Sequence, residues 1–167
     1  IDNFSFKTDL EADFIIEKLI YRGLKKMDAI ITVSKYWRDH FLRKGFVNVF
    51  VVHNGFDLAD FNVSFQEAEK FKEENHLQGK PIIYLGNCQK AKGVIESYQA
   101  LRDLDVHLVT SGEPFIKIPA RNLQMEYREY LKLLKASSVV LTMSKFKEGW
   151  CRTAHEAMLL KTPVIGS

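Results

Sequence analysis

Lys147-Glu-Gly-Trp-Cys-Arg-Thr-Ala-His-Glu-Ala-Met-Leu-Leu-Lys-Thr-Pro-Val-Ile-Gly-Ser167 joins a helical pattern to a strand-like one and carries two carboxylates eight residues apart. Gly149 suits a tight backbone turn directly after Glu148. A helix is expected from Trp150 to Lys161, running through Ala154, Ala157 and Met158 to Leu160, with a strand at Val164–Ile165. Glu148 then stands at the mouth of the helix and Glu156 about two turns inside it. At ~1.5 Å rise per residue the two carboxylates lie at most roughly 12 Å apart along the axis. The unsatisfied N–H groups of the helix N-terminus fall between them and form a seat for an anion. Two acceptors for sugar hydroxyls on either side of an anion seat fit a ligand made of hexose, diphosphate and ribose.

Upstream of this stretch, helix and strand signals alternate. Ala12, Ile16, Leu19, Ile20, Gly23, Leu24 and Met27 recur at helical spacing, and Ala29 to Val33 reads as a buried strand. Ser34 is a fitting N-cap for a helix from Lys35 to Lys44 that Gly45 ends, and Val47 to Val52 is the next strand. A charged helix from Phe65 to His76 follows the polar Asn62–Ser64. Then come strand Ile82–Leu85, helix Gly93–Asp103, strand Val106–Thr110, helix Tyr127–Ala136 and strand Val139–Met143. Such alternation predicts an α/β fold with parallel, Rossmann-like sheets, flanking helices and right-handed crossovers. Asn54-Gly55 is a turn signal, which puts a boundary near residues 57–62. In open sheets of this kind ligands bind at the carboxyl ends of the strands, here the loops after Leu85, Thr110 and Met143.

Composition narrows the function classes. A net charge of +3 with scattered basic residues gives no footprint for nucleic acid. Cys88 and Cys151 are far apart and form no zinc or disulfide framework, so they read as reduced thiols of a cytoplasmic protein. No His/Asp/Glu cluster has metal-ligand spacing. No apolar stretch approaches the ~20 residues needed to cross a bilayer. The chain opens at Ile1 and stops just after Pro163-Val-Ile165, which reads as a portion of a longer protein.

The spacing of Glu148 and Glu156 resembles the E-x7-E motif of retaining glycosyltransferases of family 4, which have the two-domain GT-B fold. Three further blocks are similar to that family: Ala157-Met-Leu-Leu-Lys-Thr-Pro-Val-Ile-Gly-Ser167, Pro81-Ile-Ile-Tyr-Leu-Gly-Asn-Cys-Gln-Lys-Ala-Lys-Gly-Val94, and the pair Asp28-Ala-Ile-Ile-Thr-Val-Ser-Lys-Tyr36 and Val51-Val-His-Asn-Gly-Phe-Asp57. The resemblance implies that residues 1–60 are the last part of an acceptor-side domain and 61–167 most of a nucleotide-sugar-binding domain. It implies that Glu148 contacts the donor hexose hydroxyls, that Glu156 accepts from the ribose, and that Lys92 neutralises the departing diphosphate. Gly149, Trp150 and Cys151 match positions whose amides hold sugar and phosphate, and Gly86 and Gly112 let backbone approach the ligand. The expected reaction retains anomeric configuration and uses no metal and no cofactor. The acceptor is expected to be a glycan or a lipid-linked molecule, and a cytoplasmic protein is expected, with peripheral membrane contact near Arg22 and Lys25-Lys26 as the alternative to a solvated face.

The chain departs from the pattern at Asn87, where the family carries an arginine. An amide supplies neither a guanidinium's charge nor its forked donors; Lys90 or Arg152 is placed to compensate if its side chain points inward. His155 stands where an apolar residue is usual and reads as a half-buried helix-face histidine. Cys151 has no histidine partner placed to activate it as a nucleophile, and His53 reads as a strand-end structural residue. Asn87 also keeps open a different class of function, a catalytically silent nucleotide-sugar-binding or partner-binding module. The base, expected to be set by residues 117–122, and the sugar are not fixed by any motif.

Overall fold

The computed structural model describes residues 18–167; Ala12 and Ile16, where the first helical spacing begins, lie outside the described residues. The chain divides into two compact units, Ile1–Asn54 and Gly55–Ser167. In the first unit, residues 18–24 are helical. They are followed by β1 (Ile30–Thr32), α1 (Lys35–Arg43) and β2 (Val49–Val51). Ser34 caps α1 by accepting the Trp37 N–H at 3.4 Å. The two strands pair in parallel, with Ile30 opposite Val49 and Thr32 opposite Val51. A parallel pair needs a crossover, and α1 supplies it. Tyr21, Phe41 and Phe46 meet edge to face with centroids 5.6–6.4 Å apart, which packs residues 18–24 and α1 together. His53 bonds Val33 O at 3.0 Å at the end of β2, the structural role read from the sequence.

The second unit is a five-stranded, all-parallel sheet of order β5-β4-β3-β6-β7. Its elements are α2 (Phe65–Glu74), β3 (Ile82–Asn87), α3 (Val94–Leu101), β4 (His107–Ser111), β5 (Arg121–Leu123), α4 (Tyr127–Ala136), β6 (Val139–Thr142), α5 (Arg152–Leu159) and β7 (Val164–Gly166). The central strand β3 is apolar on both faces, as a strand covered by helices on both sides must be. Ile82 and Tyr84 point into one cluster with Phe71, Leu131, Leu134 and Val140; Ile83 and Leu85 point into the other with Val94 and Leu141. Leu131, Leu133 and Leu134 have no exposed surface, so truncating one to alanine costs ~2–5 kcal/mol.

Residues 55–61 go with this second unit. Phe61 packs against its core, and Arg128 donates to Asp60 O at 2.6 Å and to Asn62 O at 3.0 Å. Ser64 and Glu67 form a reciprocal capping box on α2, and Arg128 also reaches Glu67 at 2.9 Å. The register of β3 against β4 shifts between Tyr84 and Asn87, and Gly86, at φ +103°, takes the backbone through that irregularity. Two expectations change. Residues 121–123, assigned to no helix or strand from the sequence, form β5, an edge strand whose polar Arg121-Asn122 gives no apolar alternation. The last helix starts at Arg152, not Trp150, with Cys151 as its extended N-cap residue.

Candidate functional site

The site is built by two loops that follow β3 and β6. After β3 the chain makes a 3-10 turn at Lys90–Lys92 and enters α3 through Gly93, at φ +68°. A Cβ on Gly93 would lie 2.2 Å from Met143 O, so the close approach of these two loops needs glycine there. Lys145 N–H donates to Ala91 O at 2.9 Å and ties the loops a second time. This stitching carries Lys92 Nζ to 2.6 Å from Glu148 Oε1, although 56 residues separate them in sequence. Ser144 Oγ donates to the same carboxylate oxygen. Burial alone pushes the Glu148 carboxyl up, but Lys92, Ser144 and the Cys151 thiol together bring it below the ordinary carboxylate range. Glu148 is therefore an anion and an acceptor for hydroxyls. A recess of about 50 Å³ here is lined by residues that include Gly86, Asn87, Lys92, Ser144, Glu148, Cys151 and Thr153.

The segment between Glu148 and α5 is held by His155. Its ring stacks on Trp150 with centroids 4.1 Å apart and planes 13° apart, and Phe56 stacks more distantly at 6.2 Å. The protonated Nδ1 donates to Cys151 O at 2.8 Å. Cys151, extended at φ −80° and ψ 90°, is the N-cap residue whose carbonyl also accepts the His155 backbone N–H at 3.3 Å, so the helix begins two residues later than the sequence pattern implied. His155 is half-buried on the helix face, as expected. Burial pushes the Cys151 thiol up and the Glu148 anion adds to the rise, so this cysteine is a poor nucleophile.

Glu156 is 3% exposed and sits on the far side of Thr153 from Glu148. Its Oε1 accepts from Arg152 Nε at 3.2 Å and Nη2 at 3.1 Å and from the Tyr127 hydroxyl at 3.2 Å; Oε2 accepts from the Tyr130 hydroxyl at 3.1 Å. Four N–H or O–H donors on one buried carboxylate meet the requirement that a buried charge be paired. Burial raises the Tyr127 and Tyr130 hydroxyls, and the Glu156 anion raises both further, so each stays protonated and donates. Burial lowers the Arg152 guanidinium, but Glu156 and Tyr127 together more than reverse this. The Arg152 guanidinium lies 5.6 Å from the Phe56 ring centroid and 6.0 Å from that of Tyr127.

A cleft of about 440 Å³ opens at this carboxylate, lined by Asn87, Ser111, Gly112, Met125, Tyr127, Tyr130, Arg152, Thr153 and Glu156. Asn87 is pinned there: its Oδ1 accepts from Ser111 Oγ at 3.3 Å, and Tyr84 Oη lies 2.6 Å from Ser111 Oγ. Gly112, at φ +76°, is held by Asn122, whose amide donates to Gly112 O at 2.9 Å. The recess and the cleft share Asn87 and Thr153 and so lie side by side at the carboxyl ends of β3, β4 and β6.

Of the residues singled out in sequence, Lys92, Glu148, Cys151, Gly86 and Asn87 meet in the recess, and Asn87, Gly112 and Glu156 in the cleft. Gly149 and Trp150 line neither; Gly149 is at a bend and the Trp150 ring is on His155. Sequence reasoning missed Ser144, Thr153, Ser111, Tyr127 and Tyr130. The two tyrosines carried one usable signal, polar tips three residues apart on an otherwise amphipathic helix. Among the described residues, no group of three or more His, Cys, Asp or Glu side chains is placed to hold a metal ion. Among them, too, no helix is long and apolar enough to cross a membrane.

No protein-family profile matches the chain, and no curated protein matches it by sequence. Solved structures do match. Anabaena Alr3699/HepE in complex with UDP and glucose aligns over 93% of this chain and 48% of its own, with 17% identity and a TM-score of 0.78. A UDP-forming α,α-trehalose-phosphate synthase from Burkholderia xenovorans aligns over 83% and 46%, with 16% identity and a TM-score of 0.60. AviGT4, a glycosyltransferase involved in avilamycin A biosynthesis, aligns over 82% and 43%, with 19% identity and a TM-score of 0.55. The chain thus has the α/β fold of GT-B glycosyltransferases, with parallel sheets flanked by helices, and spans just under half the length of these structures. At such identities the likeness establishes the fold and nothing finer.

Proposed function

We propose that the whole protein transfers a hexose from a nucleoside diphosphate sugar to a hydroxyl of a glycan or lipid-linked acceptor, with retention of configuration, in glycan or surface polysaccharide synthesis. The observation that carries this reading is the contiguity of the two sites: a Lys92–Glu148 recess and a Glu156 cleft meet at Asn87 and Thr153, at the strand ends where such folds bind ligands. The complex of Alr3699/HepE with UDP and glucose supports it by analogy of fold.

Each residue then has a role. Glu148, an anion, accepts hydrogen bonds from the hexose hydroxyls. Lys92 faces the diphosphate as negative charge builds on it, and a cation preorganised there accelerates the step. Glu156 accepts from the ribose hydroxyls. The backbone of Cys151, which lines the recess just before the N-terminus of α5, seats phosphate oxygens, while Gly149 and Trp150 line neither compartment and set the turn that leads into it. No metal or cofactor has a role in this scheme. The unit of residues 55–167 is the donor side and the preceding unit part of the acceptor side, in a protein working in the cytoplasm, in peripheral contact with the membrane where the acceptor is lipid-linked.

A second reading, a silent nucleotide-sugar-binding module, is favoured by one observation: Asn87 offers an amide where a phosphate-binding cation is expected. Calorimetric titration with UDP, GDP and ADP, then their sugars, on wild type and Glu156→Gln tests both. We expect one nucleotide to bind and the variant to lose affinity for it. The donor-site reading falls if the whole protein binds none of them. Binding with neither transfer nor donor hydrolysis by the whole protein would instead favour the silent module.

A further inference from the structure

We propose that Arg152 supplies the positive charge that holds the phosphate groups of the donor in the cleft beside Glu156; this rests on the donor-site reading above. Among the described residues lining that cleft, Arg152 is the one cation. Lys92 lines the neighbouring recess, 2.6 Å from Glu148. Lys90 lines neither, and its charge is felt by Glu96 on α3 instead. Asn87 is neutral, and its carbonyl oxygen is taken up by Ser111. Arg152 is paired with Glu156 and Lys92 with Glu148, so a diphosphate that extends into the cleft, beyond the reach of the Lys92 recess, draws its counter-charge from a cation of the cleft with donors to spare.

Arg152 meets that condition. A guanidinium has five N–H donors; Nε and one Nη2 hydrogen are directed to Glu156 and a further bond goes to the Tyr127 hydroxyl, which still leaves N–H donors for a ligand. The Phe56 and Tyr127 rings lie within cation–π range of it, at 5.6 Å and 6.0 Å, yet the side chain keeps 58% of its surface exposed. A planar fork with free N–H donors fits phosphate oxygens in pairs. It is also the first residue of α5, so its charge adds to the positive end of that helix.

The competing role is that Arg152 only neutralises Glu156. The two are separated by comparing a nucleoside with its diphosphate, using uridine and UDP, guanosine and GDP, and adenosine and ADP. Binding is followed by NMR shift titration, which reads millimolar affinities, on wild type, Arg152→Gln and Arg152→Lys, with thermal melts as the folding control. Arg152→Gln is expected to leave nucleoside affinity within about twofold and to weaken the diphosphate by about ten- to a hundredfold, the range for a hydrogen bond to a charged group. Arg152→Lys keeps the charge without the fork and should fall between. Equal weakening of nucleoside and diphosphate, or an unchanged diphosphate affinity, overturns the proposal. Failure of the wild type to bind any nucleoside or diphosphate is a different pattern and removes the donor site itself.

Discussion

Replacing Gly93 with alanine puts a methyl carbon 2.2 Å from Met143 O and 3.1 Å from Met143 C and Cβ, on a residue at φ +68°. Two costs add. The left-handed backbone costs a residue with a Cβ ~1–2 kcal/mol, offset by the ~0.4–1 kcal/mol that alanine contributes by restricting the unfolded chain. The second cost is steric, because the atom in the way is backbone carbonyl and cannot rotate aside; overpacking of this kind costs ~1–3 kcal/mol. Gly79 isolates the first cost, since its φ is +80° and a Cβ there meets nothing within 4 Å. Gly79→Ala should therefore lose at most about 1.5 kcal/mol, and Gly93→Ala a further ~1–3 kcal/mol. Urea unfolding of the two variants beside the wild type reads the difference directly. If Gly93→Ala proves no less stable than Gly79→Ala, the loops after β3 and β6 are not in the contact described, and the basis for pairing Lys92 with Glu148 goes with it.

Two further outcomes are expected. The Glu67 carboxyl is lowered from 4.5 to about 2 by the Ser64 backbone N–H, the Ser64 hydroxyl and Arg128. A depressed carboxylate stabilises the fold above its unfolded value and loses that contribution as pH falls through its folded one, so the melting-temperature gap between wild type and Glu67→Gln should narrow between pH 4.5 and about 2. A gap that stays constant over that window contradicts the capping box. Tyr130→Phe removes a hydroxyl lying 3.1 Å from Glu156 and 3.2 Å from Thr153, and should cost ~1–3 kcal/mol in denaturant unfolding, because a largely buried carboxylate loses a donor. Unchanged stability would mean that Glu156 does not depend on that bond.

The central sheet was legible because burial on both faces leaves no room for polar residues: Ile82 to Leu85 and Val139 to Leu141 are apolar without interruption. Helix α4 was legible to the residue, since Tyr127 to Ala136 is amphipathic with Pro and Gly absent. Edge strand β5 was not, because Arg121 and Asn122 are held by one neighbour and a backbone ladder that any residue can join. The two glutamates were singled out by their spacing and Lys92 by motif resemblance. Ser144 and the two tyrosines were not, since a hydroxyl that donates to a carboxylate across two elements leaves no spacing in the chain. The start of α5 was misplaced because Cys151 carries no side-chain cap that would mark the boundary in sequence, and periodicity alone does not fix a helix end.

Asn87 and Thr153 are the whole of the wall common to the recess and the cleft. Lys92 borders only the recess and Arg152 only the cleft. A change of size at Asn87 or Thr153 reshapes both compartments at once, and its effect depends on what occupies each. These two partition residues are therefore where the geometries of the two compartments are coupled: a substitution there cannot reshape one without altering the other.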